Sequence, residues 1–315
     1  MINFVSVVMT VFNGEKFLRE AIDSVLCQTF KNFELIIVND ASTDNSLKII
    51  QEKSSLDQRI KIINLKENLG MANALNIAIN DSKADYIARM DSDDIMYKNR
   101  LEEQVSYMGK HKDVDVLSCL GTYMGLNGNT FGVTSTEINN HESSSILIKN
   151  NMPIGLLHPG TMFKKKIVQE IGGYRKKFWP AEDIDLWNRL ALRGHIIYVQ
   201  KKILMKYRIH NNSIITSQFL KSQQIYEWVK YNLVCRNLNR PEIEFSEFKN
   251  LQKKKNIFFK LNNLRKLFYK YFLRKQIYFY LNKKILSLII AIFISILLRP
   301  YKFFTNIYKR IYQLL

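Results

Sequence analysis

The chain has little cysteine. Its three thiols, Cys27, Cys119 and Cys235, are scattered, odd in number and without C-x-x-C spacing. That argues against a disulfide framework and against a zinc site, and it suits a reducing compartment. Proline (5) and glycine (12) are also scarce among 315 residues, whereas 47% of the chain is apolar and 12% aromatic. A disordered chain is not expected from that composition; a sizeable core with an appendage is. The N-terminus has no basic flank and opens straight into an apolar run, so no signal peptide is expected.

Acidic residues are scarce in one region only. Residues 211–315 hold 20 Lys/Arg against 4 Asp/Glu, whereas residues 1–210 hold 27 against 24, within a formal net charge of +19. The first two-thirds read as an ordinary enzyme, and the last third reads as a segment that meets a polyanionic surface. Within that last third, residues 285–298 (ILSLIIAIFISILL) form an apolar run between Lys283-Lys284 and Arg299. Fourteen residues fall short of the roughly 20 that a helix needs to span a bilayer. An in-plane or re-entrant contact is therefore expected, with Lys and Arg seeking anionic head groups, the alternative on the same length being a buried core helix. The basic residues sit in a tail with an apolar run, so an anionic membrane surface is the expected partner and nucleic acid is not.

The pattern of residues 1–210 is that of an α/β domain. Apolar β-branched runs at 4–11 (FVSVVMTV) and 33–38 (FELIIV) read as buried parallel strands. Further strands are expected at 60–65, 84–90 and 114–120. Helices are expected over 15–27, through Leu47 to Ile50 with Ser42 or Asp44 as cap, over 70–80 and over 98–110. The Gly- and Asn-rich stretch 121–132 reads as a hairpin or loop. Gly194 should stop a helix that begins at AEDIDLW. Alternating elements imply a mostly parallel sheet with helices on both faces. Ligands bind such sheets at the carboxyl ends of strands. Three polar clusters fall there: Thr10 to Gly14, Asn39 to Asp44, and Asp91 to Asp94.

Asp91-Ser92-Asp93-Asp94 offers the hard oxygen ligands that Mg or Mn takes, or else a solvated loop with a helix-capping Asp. Asp40 can accept from a base or ribose hydroxyl, or simply cap a turn. Glu182, Asp183 and Asp185 precede or open an amphipathic helix, and one carboxylate there could act as general base. With a metal on the leaving diphosphate, no second carboxyl is needed as acid. His158 and His210 are further candidates, His210 the better one because it ends the strand-like run KYRIH.

With these residues in view, about residues 4–215 resemble the family 2 glycosyltransferases of bacterial surface-polysaccharide type, which share the GT-A fold. VSVVMTVFNGEKFLREAIDSVLCQTFKNFELIIVNDASTD (5–44) is similar to the family's opening, and ENLGMANALNIAI (67–79) to its glycine-containing segment. DSDD (91–94) resembles its D-x-D motif, EDIDLWNRL (182–190) its catalytic helix start, and YRIH (207–210) a common closing motif. The resemblance implies inverting transfer from a nucleoside-diphosphate sugar, commonly a UDP-sugar, with Mn or Mg as cofactor. It places Thr10, Phe12 and Asp40 by the nucleoside, Asp91 and Ser92 by the diphosphate, and Asp93 on the metal. Asp91 supports that metal and Asp183 matches the base; His210, from its place at the end of KYRIH, is expected as a further metal ligand. Glu182, His158 and Gly173 fall on the acceptor side. Asn39 stands where many members carry Asp, and Asn73-Ala74-Leu75 where an Arg is frequent.

The expected organisation is a catalytic domain over 1–215 and a basic, mainly helical extension over 216–315. The expected activity adds a sugar to a glycan or lipid-linked acceptor from the inner face of the cytoplasmic membrane. A nucleotidyltransferase would want a glycine-rich phosphate loop, and TVFNGEKF has one glycine.

Overall fold

The computed structural model describes residues 2–210, 218–281, 283–303 and 305. The expected boundary near 215 lies outside them. The chain forms two compact units. The first comprises 1–123, 132–208 and 224–242, and the second 124–131, 209–223 and 243–315.

The first unit is a mixed α/β sheet. Strands β1 (Val5–Val11), β2 (Phe33–Asn39), β3 (Ile60–Asn64) and β4 (Tyr86–Asp91) pair in parallel, in the order β3-β2-β1-β4. Helices α1 (Glu15–Leu26), α2 (Ser46–Leu56) and α3 (Met71–Asp81) link them. The parallel half is thus the one that the apolar runs predict. Beyond β4 the order continues through β8 (Met162–Lys164), antiparallel to both its neighbours β4 and β6 (Val114–Met124), and on to β9 (Ile196–Arg208). The two-residue β5 (Ile95–Met96) pairs with β9. Strand β7 (Thr130–Val133) returns on β6, so the Gly- and Asn-rich stretch is a hairpin.

Alternation along the strands explains the two layers. Val7, Met9, Leu35, Ile37 and Met90 face one apolar core with α1, α2 and α4 (Arg100–Lys110). Their neighbours Val8, Ile36, Val38 and Ile87 face a second core with α3 and α7 (Glu182–Leu192). Helices α5 (Ser143–Lys149) and α6 (Lys165–Glu170) complete the run before α7. Gly194, at φ +85°, follows α7 as its stop. Asp44 bridges two helix starts: its carboxylate accepts from Ser46 N (2.9 Å) and from Glu15 N (3.0 Å).

Helix α8 (Phe219–Asn237) leads to α9 (Phe245–Lys254), α10 (Ile257–Leu281) and α11 (Ile285–Leu298). In the second unit α10 packs along α11. Among the described residues no helix is long and apolar enough to cross a membrane.

Candidate active site

The carboxyl ends of β1, β2 and β4 lie side by side, because Thr10 is in register with Val38 on one side and Asp91 on the other. Phe12 follows, half exposed at the rim (52%). The loops after β1 and β2 are stitched together: Asn13 N donates to Ser42 Oγ (3.0 Å), Thr43 N to Asn13 Oδ1 (2.8 Å) and Gly14 N to Ser46 Oγ (2.9 Å). Gly14 also lies against Ser92, whose Oγ is 3.3 Å from where a Cβ would stand. Asp40 is buried, and its two oxygens accept from Leu69 N (2.7 Å) and Gly70 N (2.9 Å). That is the turn-holding role the sequence allowed for it, and it fixes where the carboxylate points.

Carboxylate oxygens of Asp91, Asp93 and Asp94 lie within 4.8 Å of one another. Burial pushes the Asp91 carboxyl up against the pull of Arg89. Burial and the Asp93 charge push Asp94 well above the usual carboxylate range. Asp94 Oδ1 accepts from Arg208 N (2.7 Å), and its other oxygen is buried with no partner. Crowded, partly desolvated oxygen donors of this kind fit a hard divalent cation such as Mg or Mn. Asp94, which the sequence offers as a helix cap, is instead bonded to β9. His210 follows β9 in the second unit.

Arg208 clamps the acidic loop. Its Nε donates to Asp93 O (2.7 Å), its Nη2 to Glu20 (2.5 Å), and its guanidinium lies over the Phe17 ring at 4.3 Å. Arg89 is the cation within the site. It is fully buried on β4, pairs with Asp91, and has Nε and Nη1 unpartnered. Its charge acts on Asp91, Asp94, His158, Tyr174, Glu182 and Asp183, which places all of them in one electrostatic environment. Sequence reasoning missed Arg89. The signal was a charged residue inside an otherwise apolar strand, YIARMD, on the face shared with Ile87.

Glu182 and Asp183 open α7, where unpaired backbone amides favour carboxylates. Burial nonetheless raises both: Asp183 to about 6, eased by the Ile184 amide and by Arg89, and Glu182 to about 8, helped by the Asp183 charge. Asp183 is half-buried and keeps partial contact with solvent; Glu182 is buried with Oε2 unpartnered. Asp185 differs. It is fully buried and bonded to Arg175 (2.5 Å), Arg189 (2.8 Å) and Arg236 (2.9 Å), and these cations hold its carboxyl low despite burial. His158 Nε2 and the Tyr174 hydroxyl are 2.8 Å apart in a buried pair, and burial keeps the imidazole neutral. Gly173 adopts φ +66°, and a Cβ there would sit 2.4 Å from Asn76 Oδ1.

Comparison with known proteins places this arrangement in a class. The structure superposes on Staphylococcus aureus TarS 1–349, solved in complex with UDP-GlcNAc, with a TM-score of 0.58 and 21% identity, covering 85% of this chain and 80% of that one. It also matches the mannosyltransferase PcManGT of Pyrobaculum calidifontis, solved with GDP-Man and Mn2+, at TM-score 0.58 and 15% identity, over 74% and 64% of the two chains. The fold is therefore GT-A. The profile of Glycosyl transferase family 2 matches residues 6–172, and the chain belongs to that family. It is 34% identical to EpsE of Bacillus subtilis over 240 residues, which is 75% of this chain and 84% of that one. It is 35% identical to the O-antigen biosynthesis glycosyltransferase WbnJ of Escherichia coli, over 74% and 89% of the two chains. The family profile ends before Glu182 and Asp183, so their roles rest on the geometry.

Proposed function

We propose that this glycosyltransferase moves a sugar, with inversion, from a UDP-sugar to a hydroxyl of a glycan or lipid-linked acceptor in surface-polysaccharide biosynthesis, at an anionic membrane surface. One observation carries the reading: Asp183, with its carboxyl near 6, shares an electrostatic environment with the Asp91–Asp94 cluster at the strand ends. A base needs a pKa near the working pH, and Asp185 is disqualified by its three arginines. The O-antigen role of WbnJ and the UDP-GlcNAc complex of TarS support the polysaccharide and the donor.

Asp183 accepts the proton of the acceptor hydroxyl as its oxygen bonds to the anomeric carbon. The bond from that carbon to the diphosphate oxygen breaks, and UDP leaves on the opposite face, which inverts the centre. Asp91 and Asp93 would hold a divalent cation, with the free oxygen of Asp94 beside them; the cation supplies positive charge for the departing diphosphate. Thr10 and Phe12 stand at the rim to meet the nucleoside, with Asp40 bracing the adjacent turn. Glu182, neutral near pH 7, is suited to donating a hydrogen bond to the acceptor.

A panel of UDP-sugars with Mn2+ and a glycan acceptor tests this. One donor should release free UDP in an acceptor-dependent way, with the opposite anomeric configuration in the product. Release of pyrophosphate from a nucleoside triphosphate instead would make the protein a nucleotidyltransferase.

A further inference from the structure

Helix α11 is built inside out. Its buried positions are small or polar: Ala291 and Ser295 sit one turn apart against α10, and Gln276 of α10 donates to Ser295 Oγ (2.8 Å) and to Ala291 O (3.2 Å). Its large apolar side chains point away. Leu286, Ile289, Ile290, Phe293 and Leu297 are all exposed, Leu286 at 73% and Phe293 at 62%. Their spacing of three and four residues makes one continuous stripe. A helix docked in water has the reverse order. Small residues at the helix contact, a polar side chain bonding across it and large apolar residues outward is the arrangement that lipid favours.

Length and charge fix the mode. Fourteen residues reach about 21 Å at 1.5 Å each, short of the roughly 30 Å hydrocarbon core. From residue 248 to 315 the chain has 16 Lys/Arg and no Asp/Glu, so what flanks the stripe is entirely cationic. We propose that the α10–α11 pair is a single-leaflet anchor for anionic lipid. In it, α11 lies in the membrane plane with its outward stripe among the upper acyl chains, α10 covers its other side, and lysines and arginines meet the head groups. The proposal rests on the membrane-surface part of the function proposed above.

The test uses the full chain and phosphatidylcholine vesicles with and without phosphatidylglycerol. A fluorophore is attached at Phe293→Cys in a Cys27→Ser background. The expected result is flotation with the anionic vesicles, a blue-shifted emission, and stronger quenching by nitroxides placed shallow in the leaflet than by deep ones. The double substitution Ile289→Glu with Phe293→Glu should weaken vesicle binding by at least about tenfold, since the stripe carries the insertion. Both side chains are exposed and outside the candidate active site, so UDP release with a free acceptor and the thermal midpoint should be unchanged.

Binding to anionic vesicles with no emission shift, or with full affinity in the double variant, overturns insertion and leaves the surface reading standing. No binding to anionic vesicles overturns both. A dimer in light scattering that the double variant converts to monomer would assign the stripe to a second copy of the chain and overturn the anchor. None of these outcomes touches sugar transfer, which UDP release reads separately.

Discussion

Asp183 and Asp185 stand two residues apart on α7 and meet opposite surroundings. Asp183→Asn should leave UDP binding nearly intact and lower turnover by about 100-fold or more, the scale of a lost general base; calorimetric titration and UDP release separate the two. Asp185→Asn should instead lower stability by about 3–5 kcal/mol, because three guanidinium groups lose a buried partner; urea unfolding reads it. The pH signs also separate cleanly. Asp183 has a folded pKa near 6 against a free value of 3.8. Its contribution to stability is full below 3.8 and is lost as pH rises through 6, and Asp183→Asn should remove that loss. Activity should run the other way, growing as pH rises through about 6, because the proposed base must be ionised to accept a proton. The acidic motifs were legible in the sequence because carboxylates at strand ends and helix starts are patterned locally. Tyr174 and Arg208 were not, because their partners His158, Asp93 and Glu20 lie on other elements and only folding brings them near.

At the scale of elements, the acidic loop is positioned from behind by β9. Arg208→Lys keeps the charge but loses the Nε bond to Asp93 O, so Mn2+ affinity should fall about 10-fold, as for other supports of ligand loops; titration of Mn2+ against a fluorescent reporter measures it. Gly173 is the other fixed point. Gly173→Ala puts a methyl into Asn76 at a left-handed φ and should cost about 2–3 kcal/mol in urea unfolding. The parallel strands and their helices were readable from period and caps. The antiparallel strands were not: β5 and β8 have two and three residues, too few for a period, and their pairing with β9, β4 and β6 joins distant parts of the chain.

At the scale of the whole molecule, occupancy should register as stability. UDP with Mn2+ should raise the melting temperature in proportion to the logarithm of ligand above its Kd, and neither component alone should match the pair; differential scanning fluorimetry tests it. The basic tail was visible in composition, but the route of the chain through 224–242 was not. Arg236 and Glu242 complete the network around Asp185 through Arg175, and Trp228 packs on Phe178 with tilted rings whose centroids are 4.3 Å apart. A sequence pattern cannot show that a late helix braces the start of the helix that carries Asp183. That bracing decides where this protein can be cut and grafted. A chimera joined after residue 215 would inherit Asp183 without Arg236, Glu242 or Trp228 to steady its neighbours, whereas one joined after Glu242 would carry the set intact. The transplantable piece therefore ends at a salt bridge, some way past the last recognisable motif.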